Sequence, residues 1–171
     1  MANDSKPTQT GPLANLITEA QNGTLSVNFS PDVVVNADEF VYIERDCKAF
    51  KQEITTLQNI AKSIAEIPNW GLGESTEGLF SAKTLISRFR SKAMKAHLST
   101  DTDDNIWDIL DQHYKIIDDL ETLHHTIAQQ YCEQDTKFAA EYKRLQSNIE
   151  QSPILTDLKP GTKVSGIGKS S

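Results

Sequence analysis

Apolar residues recur at alternating steps of three and four along this chain, and no other feature limits its fold as strongly. The first run of this repeat extends over more than three heptads, through Phe40, Ile43, Cys47, Phe50, Ile54, Leu57, Ala61 and Ile64. Such a/d spacing places all members on one side of an α-helix. With Ser30 as cap and Pro31 in the first turn, the predicted helix runs for about 35 residues, roughly 50 Å. Ile60 and Ile67 widen the stripe, so this helix needs more than one neighbour.

The repeat resumes twice further along the chain. Its second run contains Leu79, Ala82, Ile86, Phe89, Ala93 and Ala96. Its third run starts at Ile106 and extends to Ser152-Pro153 through Leu110, His113, Ile117, Leu120, His124, Ile127, Tyr131, Phe138, Tyr142, Leu145 and Ile149. The residues between these runs, 99–105, are capping residues without an apolar member. Because the phase of the second run does not carry into the third, we expect the helix to break or kink there.

These runs predict an all-α fold, an antiparallel helical hairpin extended to a three-helix, or long kinked two-helix, bundle with disordered termini. The helical domain is expected at 31–152, between a flexible N-terminal segment at 1–30 and a disordered tail at 153–171. Within the first segment, 13–20 can form a short helix that Asn22-Gly23 would stop. The seam residues expected in the core or at a partner interface are Phe40, Ile43, Phe50, Ile54, Leu57, Ile86, Phe89, Leu110, Ile117, Leu120 and Ile127.

A short turn at 69–74, Asn-Trp-Gly-Leu-Gly-Glu, separates the first two runs. Pro68 can stop the incoming helix, since proline lacks an amide hydrogen. Gly71 and Gly73 can adopt left-handed backbone angles, which lets the chain reverse within a few residues. Trp70 is expected to be the apolar plug of this turn, and Ser75 or Thr76 can cap the next helix.

The composition excludes several classes of protein. A net charge of −7 and a pI near 5.0 argue against a nucleic-acid binder, which needs a basic face. The sequence contains no run of about 18 apolar residues that could span a membrane, and it begins without the apolar segment of a Sec signal peptide. Cys47 and Cys132 lack metal-ligand spacing. Free core cysteines are the favoured interpretation, with a disulfide between them as the alternative.

No pattern for catalysis or for a cofactor stands out, and we expect neither an enzyme nor a bound metal. Asp101, Asp103 and Asn105 match the first ligands of a calcium loop, but the sixth position lacks glycine and the twelfth is Gln112. A di-metal bundle requires several Glu-x-x-His pairs, and Glu121-x-x-His124 is the single example. Helix capping and seam histidines are the simpler interpretations.

Tyr131-x-x-x-Asp135 is a second motif, although Tyr42/Asp46 and Tyr114/Asp118 match the same spacing. A Trp-Gly turn between heptad helices, followed by Tyr-x-x-x-Asp on the second arm, resembles the actinobacterial type VII (ESX) secretion substrates. The resemblance covers about residues 33–150 and extends to the Trp-x-Gly hairpins and the longer PE, PPE and Esp-like proteins. Two features depart from the family pattern: Leu72 occupies the position of its glycine, and Tyr131 lies 61 residues after Trp70.

The resemblance implies a non-enzymatic substrate or co-secreted partner that pairs with a second helical-hairpin protein, as a hetero- or homodimer. It also implies that Tyr131 and Asp135, together with the Trp-Gly turn of the partner, form an export signal that the secretion ATPase reads. The protein would be cytoplasmic before export and then secreted or on the cell surface, without a cleaved signal peptide. The alternative is an intracellular coiled-coil adaptor or chaperone that escorts a larger toxin or effector.

Overall fold

The computed structural model describes residues 11–25, 35–94 and 104–157, and within these ranges all regular secondary structure is helical. The elements are α1 (Ala14–Gln21), α2 (Ala37–Ala65), α3 (Phe80–Ala93), α4 (Ile106–Gln134), α5 (Thr136–Ser147) and the single turn α6 (Ile154–Asp157). The predicted all-α class is therefore confirmed. The short helix expected at 13–20 is also confirmed, as α1.

Helices α2 and α4 form an antiparallel pair that is the frame of the molecule. Lys51 on α2 contacts Asp118 on α4, with 2.7 Å between Nζ and Oδ1. Glu44, seven residues earlier on α2, contacts His125, seven residues later on α4, at 3.1 Å. The hairpin arrangement predicted from the repeats is thus present. Its two arms are not joined by one short turn, however, because α3 lies between them in the chain.

The largest apolar cluster lies at one end of this frame, where α5 packs on both long helices. Its buried members are Ala37, Val41, Ala128, Phe138 and Tyr142, and they are surrounded by the partly buried side chains of Val35, Phe40, Tyr131, Cys132 and Leu145. Ring contacts join Phe40 to both Tyr131 and Phe138 at 6.0 and 5.8 Å between centroids. Four aromatic side chains, Phe40, Tyr131, Phe138 and Tyr142, therefore pack together where the start of α2 meets the end of α4 and α5.

Several helix limits differ from the predicted ones. Helix α2 begins at Ala37 because Asn36 has an extended backbone, so the helix start expected at Ser30-Pro31 is not where α2 starts. The long third run is not one helix, because Asp135 is extended and separates α4 from α5. Leu79, without a side-chain cap, precedes α3, so neither Ser75 nor Thr76 caps it.

The break expected between the second and third runs is confirmed. Helix α3 ends at Ala93, and Met94 after it is extended. Helix α4 begins after Asn105, whose Oδ1 accepts a hydrogen bond from the Asp108 amide at 2.9 Å. Asn105 is thus an N-cap, as the capping interpretation predicts. Residues 95–103, with Asp101 and Asp103 of the calcium pattern, lie outside the described residues.

The bundle includes parts of both segments that were predicted to be flexible or disordered. Helix α1 packs on α4 and buries Ile17 and Ala20 completely, so this part of 1–30 is folded. Helix α6 packs on α2, and Ser152 before it donates a hydrogen bond to Asp46 at 2.7 Å. The remaining parts of those predictions, 1–10, 26–30 and 158–171, lie outside the described residues.

Candidate functional site

The Trp-Gly turn is organised by one carboxylate. Gly71 and Gly73 have φ of 69° and 85°, the left-handed angles that their sequence predicts. Glu74 then turns its carboxylate back and accepts hydrogen bonds from the amides of Trp70, Gly71 and Leu72, the last two at 3.2 and 2.9 Å. The hydrogen bonds from its own amide and from these three amides lower the pKa of Glu74.

Trp70 packs against α3 rather than against the long arms. Its ring stacks on Phe89 with 5.6 Å between centroids, and its indole N–H is buried without a hydrogen-bond partner among the described residues. The Arg90 guanidinium, one residue further on, donates to the carbonyl of Ile67 just after α2. The turn is therefore fixed to α3 on two sides, and it joins α2 to α3 rather than α2 to α4.

The Tyr-x-x-x-Asp motif does not lie on one uninterrupted helix, although its spacing would place both residues one turn apart on a helix. Tyr131 is on α4, half-buried in the aromatic cluster beside Phe40 and Phe138. Asp135 is the cap between α4 and α5, and its Oδ1 accepts from the amides of Lys137 and Phe138 at 2.8 and 3.2 Å. Its carboxylate thus has a capping role that sequence reasoning missed, although an Asp just before an apolar-periodic run, here Phe138 and Tyr142, is a known N-cap signal.

The other two Tyr-x-x-x-Asp matches lie on uninterrupted helices. The Asp46 carboxylate binds Arg45 and Ser152, and the hydrogen bond from Arg45 is the main reason that its pKa is lowered. The Asp118 carboxylate accepts from Lys51. Since each Asp has a partner within the fold, the geometry does not single out one pair as a recognition motif.

The predicted seam residues divide into three groups by exposure. Ile54 and Ile86 are buried. Those that are half-buried are Phe40, Ile43, Leu110, Ile117, Leu120 and Ile127. Phe50, Leu57 and Phe89 are exposed. The structure therefore covers only part of the seam, and none of its exposed residues belongs to the main apolar cluster.

Exposed apolar side chains also form a stripe on each of the two long helices, and we call these two stripes together the open face. It consists of six side chains that are 40–51% exposed: Phe50, Leu57 and Ile60 of α2 and Ile106, Ile109 and Ile116 of α4. Steps of three and seven keep each set on one stripe of its helix. Lys51 and Asp118, which pair across the seam, are rotated away from these stripes by about 100° per residue. Ile109 and Ile116 are therefore about half a turn from Asp118, so the α4 stripe faces away from α2.

Within the described residues, the histidines and cysteines do not form a metal site. His125 contacts Glu44, His124 Nδ1 lies 2.9 Å from the Leu120 carbonyl oxygen, and Glu121 pairs with Lys51. The described residues contain no group of three or more His, Cys, Asp or Glu placed to hold a metal ion. Both cysteines are free, as the favoured interpretation predicts, and burial raises the pKa of each thiol.

Compared with family models, curated proteins and solved structures, the chain matches none of them. Among the described helices, none is both long enough and apolar enough to cross a membrane.

Proposed function

We propose that this protein works without catalysis, by binding a helix of another protein on its open face. The observation that carries this proposal is the exposure of six large apolar side chains along two neighbouring helices, while the buried aromatic cluster lies elsewhere. Contiguous exposed apolar surface marks interaction sites in soluble proteins. A helix with an exposed apolar stripe suits an amphipathic helix as its partner, which would bury these side chains and complete a bundle.

We further propose that the protein is a type VII (ESX) secretion substrate or its co-secreted partner. The antiparallel α2–α4 pair supports this proposal, because the resemblance implies a helical hairpin, and a glycine turn follows Trp70 at the end of the first arm. The partner would be a second helical-hairpin protein, and the secretion ATPase would read the pair. On this proposal the protein is cytoplasmic first and is then secreted or held on the cell surface.

The positions of the two motifs support a signal that is shared between two chains. Trp70 follows the end of α2, whereas Asp135 follows the end of α4, and these helices are antiparallel. Helix α4 alone, from Ile106 to Gln134, is about 44 Å long at 1.5 Å per residue. Trp70 and Asp135 of one chain are therefore too far apart to form one signal. Two chains that pair in antiparallel orientation would bring Trp70 of one chain close to Asp135 of the other.

The export proposal is tested by two substitutions at Asp135 that separate capping from charge. Asp135→Asn keeps a good N-cap and removes the carboxylate, whereas Asp135→Glu keeps the carboxylate and weakens the cap. We expect secretion in the native host to be lost in Asp135→Asn and kept in Asp135→Glu, measured as the fraction of protein in the medium. If secretion were instead kept in Asp135→Asn and lost in Asp135→Glu, it would depend on the helix cap and not on the charge, and the signal assignment would be rejected. Asp118→Asn, in another Tyr-x-x-x-Asp match, is the control.

The intracellular adaptor is the second candidate function. It is favoured by one observation, that Trp70, Tyr131 and Asp135 all have roles within the fold and need no export signal to account for them. Such an adaptor would use the same open face to hold a larger toxin or effector. If the protein is such an adaptor, the unmodified protein and the variants Asp135→Asn, Asp135→Glu and Asp118→Asn all stay inside the cell.

A further inference from the structure

Helix α3 is the basic element of an acidic protein. The chain has a net charge of −7, but residues 78–100 include five Lys or Arg and no Asp or Glu. Four of these cations, Lys83, Arg88, Arg90 and Lys92, lie on α3. The charge of the molecule is therefore unevenly distributed, and such a distribution orients a protein toward a negatively charged partner.

Two of these four cations are used within the fold and two are not. The Arg90 guanidinium donates to a backbone carbonyl just after α2, and the Lys92 ammonium pairs with Asp104. Lys83 and Arg88 are exposed, and no side-chain hydrogen bond or ion pair engages them in the part of the chain that the structure describes. Their charges are therefore available to a partner outside the chain.

Exposed apolar side chains lie beside these two cations. Phe80, the first residue of α3, is 75% exposed, more than any other large apolar residue among those described. Leu79, just before it, and Leu85, between the two cations in the sequence, are also exposed. We call Leu79, Phe80, Lys83, Leu85 and Arg88 together the basic tip.

The basic tip is spread too widely around α3 for one partner helix to cover it. Ala82 and Ile86 are buried against the bundle. Lys83 follows the first of them and Leu85 precedes the second, so these two side chains project from opposite flanks of α3, at about 100° per residue. Phe80 and Leu85 differ by about 140°, which is wider than the apolar stripe of roughly 100° through which a helix packs. A fluid lipid surface has no such limit, because its molecules rearrange around each side chain.

We propose that the basic tip docks this protein on the surface of a lipid bilayer that contains anionic phospholipids. Leu79 and Phe80 enter the boundary between headgroups and acyl chains, the depth that apolar side chains of interfacial helices reach. Lys83 and Arg88 lie about 5 and 12 Å behind Phe80 along α3, at about 1.5 Å per residue, within reach of the lipid phosphates. The same surface repels the acidic residues elsewhere in the chain, so the basic tip approaches it first.

This docking surface is separate from the open face. The open face lies on α2 and α4, whereas every residue of the basic tip belongs to α3 or immediately precedes it. The inference therefore needs neither export nor the binding of a partner helix. Leu57→Asp, which should block helix binding, should leave docking on lipid unchanged, so failure of one proposal is distinguishable from failure of the other.

The experiment measures flotation of the full chain with vesicles of phosphatidylcholine, prepared with and without phosphatidylglycerol. We expect binding only to the vesicles that contain phosphatidylglycerol, and a loss of affinity of about tenfold or more in the double variant Lys83→Gln/Arg88→Gln. Lys137→Gln/Lys143→Gln is the matched control, since it removes the same charge from exposed positions of α5 and should bind as the unmodified protein does. Equal losses in the two double variants, equal binding to both kinds of vesicle, or binding to neither would overturn the inference.

Phe80→Ser separates a lipid surface from an acidic polypeptide as the partner of the basic tip. The substitution keeps both cations and removes the most exposed apolar side chain, so binding to the anionic vesicles should weaken about fivefold or more. Binding to polyglutamate, which has no apolar interior, should not change. A protein that binds polyglutamate but not the vesicles, or vesicle binding that Phe80→Ser leaves intact, would contradict docking on lipid. Circular dichroism checks that each variant keeps its helices.

Discussion

At the scale of single residues, the most constrained group is the Glu44 carboxylate, which is 5% exposed between α2, α4 and α5. Its Oε1 accepts from the Tyr142 hydroxyl and lies 3.1 Å from His125 Nδ1, and its Oε2 accepts from Gln146 at 3.4 Å. The Gln129 side-chain amide lies 3.0 Å from Nε2 of His125, so each ring nitrogen of His125 has a polar neighbour. Three donors from two helices thus hold one buried charge and fix α5 against the α2–α4 pair.

Tyr142→Phe should lower the free energy of unfolding by about 1–3 kcal/mol at pH 7, because a buried carboxylate loses a donor that no water replaces. Urea denaturation measures this change. Tyr114→Phe is the control, since the Tyr114 ring contacts Lys51 and its hydroxyl has no hydrogen bond within the described part of the chain. A loss no larger in Tyr142→Phe than in Tyr114→Phe would show that the hydroxyl contributes little.

The same hydrogen bond predicts a pH dependence. Burial first, and then the hydrogen bond to Glu44, raises the pKa of Tyr142 far above its ordinary value near 10. Its stabilising contribution is therefore complete below about pH 10 and falls above it, where the unfolded chain releases the proton and the folded protein retains it. The advantage of the unmodified protein over Tyr142→Phe should shrink when urea denaturation is repeated above pH 10.

At the scale of elements, the Trp-Gly turn depends on a side chain that follows it. Glu74 binds the amides of Trp70, Gly71 and Leu72, and its lowered pKa means that the folded turn favours the charged carboxylate. The contribution of Glu74 is present above the ordinary Glu pKa near 4.3 and is lost as the pH falls through the lowered value.

Glu74→Gln should therefore loosen the turn at neutral pH, since a neutral amide oxygen is a weaker acceptor than a carboxylate. We expect the amide signals of Gly71 and Leu72 to shift in NMR spectra, and Trp70 fluorescence to change as its stacking on Phe89 loosens. In the unmodified protein the same changes should begin below about pH 4. Glu77→Gln, in the same loop, is the control, and identical spectra for both variants would contradict a role for Glu74.

The sequence predicts the elements of this fold better than their limits. Heptad spacing identified α2 and the run that contains α4, and the residues around Asn105 marked the break, because periodicity and capping act locally. The break at Asp135 was missed since Phe138 and Tyr142 keep the spacing of the preceding seam across it. Helix α1 was predicted, but its packing on α4 was not. The hydrogen bonds of Leu13 with Asp119 and of Ala20 with Gln130 join residues more than a hundred positions apart, which local sequence patterns do not reveal.

The candidate site was predicted only in part. Phe50 and Leu57 were expected at the core or at an interface, and periodicity cannot decide between these outcomes. The difference depends on where α5 packs, which is near Phe40 and not near Leu57. Ile109 and Ile116 were missed, since they lie on a second stripe beside the seam of Leu110 and Ile117. The sequence does show this second stripe, because Ile109 and Ile116 each stand next to a seam residue and so widen the apolar face of the third run.

At the scale of the whole molecule, the fold is closed at one end and open at the other. Helix α5 covers the α2–α4 pair where the aromatic cluster lies, whereas α3 has far less contact with α4 at the opposite end. The net charge of −7 opposes close approach of two copies in general. Association must then come from apolar burial at the open face, where Glu53 is the single charged member of the α2 stripe between Phe50 and Ile60.

Leu57→Asp should abolish association, because a charge in an apolar helix interface has no partner there. Thr55→Asp is the matched control, since it adds the same charge two residues away, on the side of α2 that carries Lys51. The measurement is the mass in solution by light scattering, for the protein alone and with the product of the neighbouring gene. We expect a defined complex for the unmodified protein and Thr55→Asp, and a monomer for Leu57→Asp with its helical circular dichroism retained. A protein that stays monomeric under both conditions would mean that the open face is not an interface, and both proposed functions would lose their physical basis.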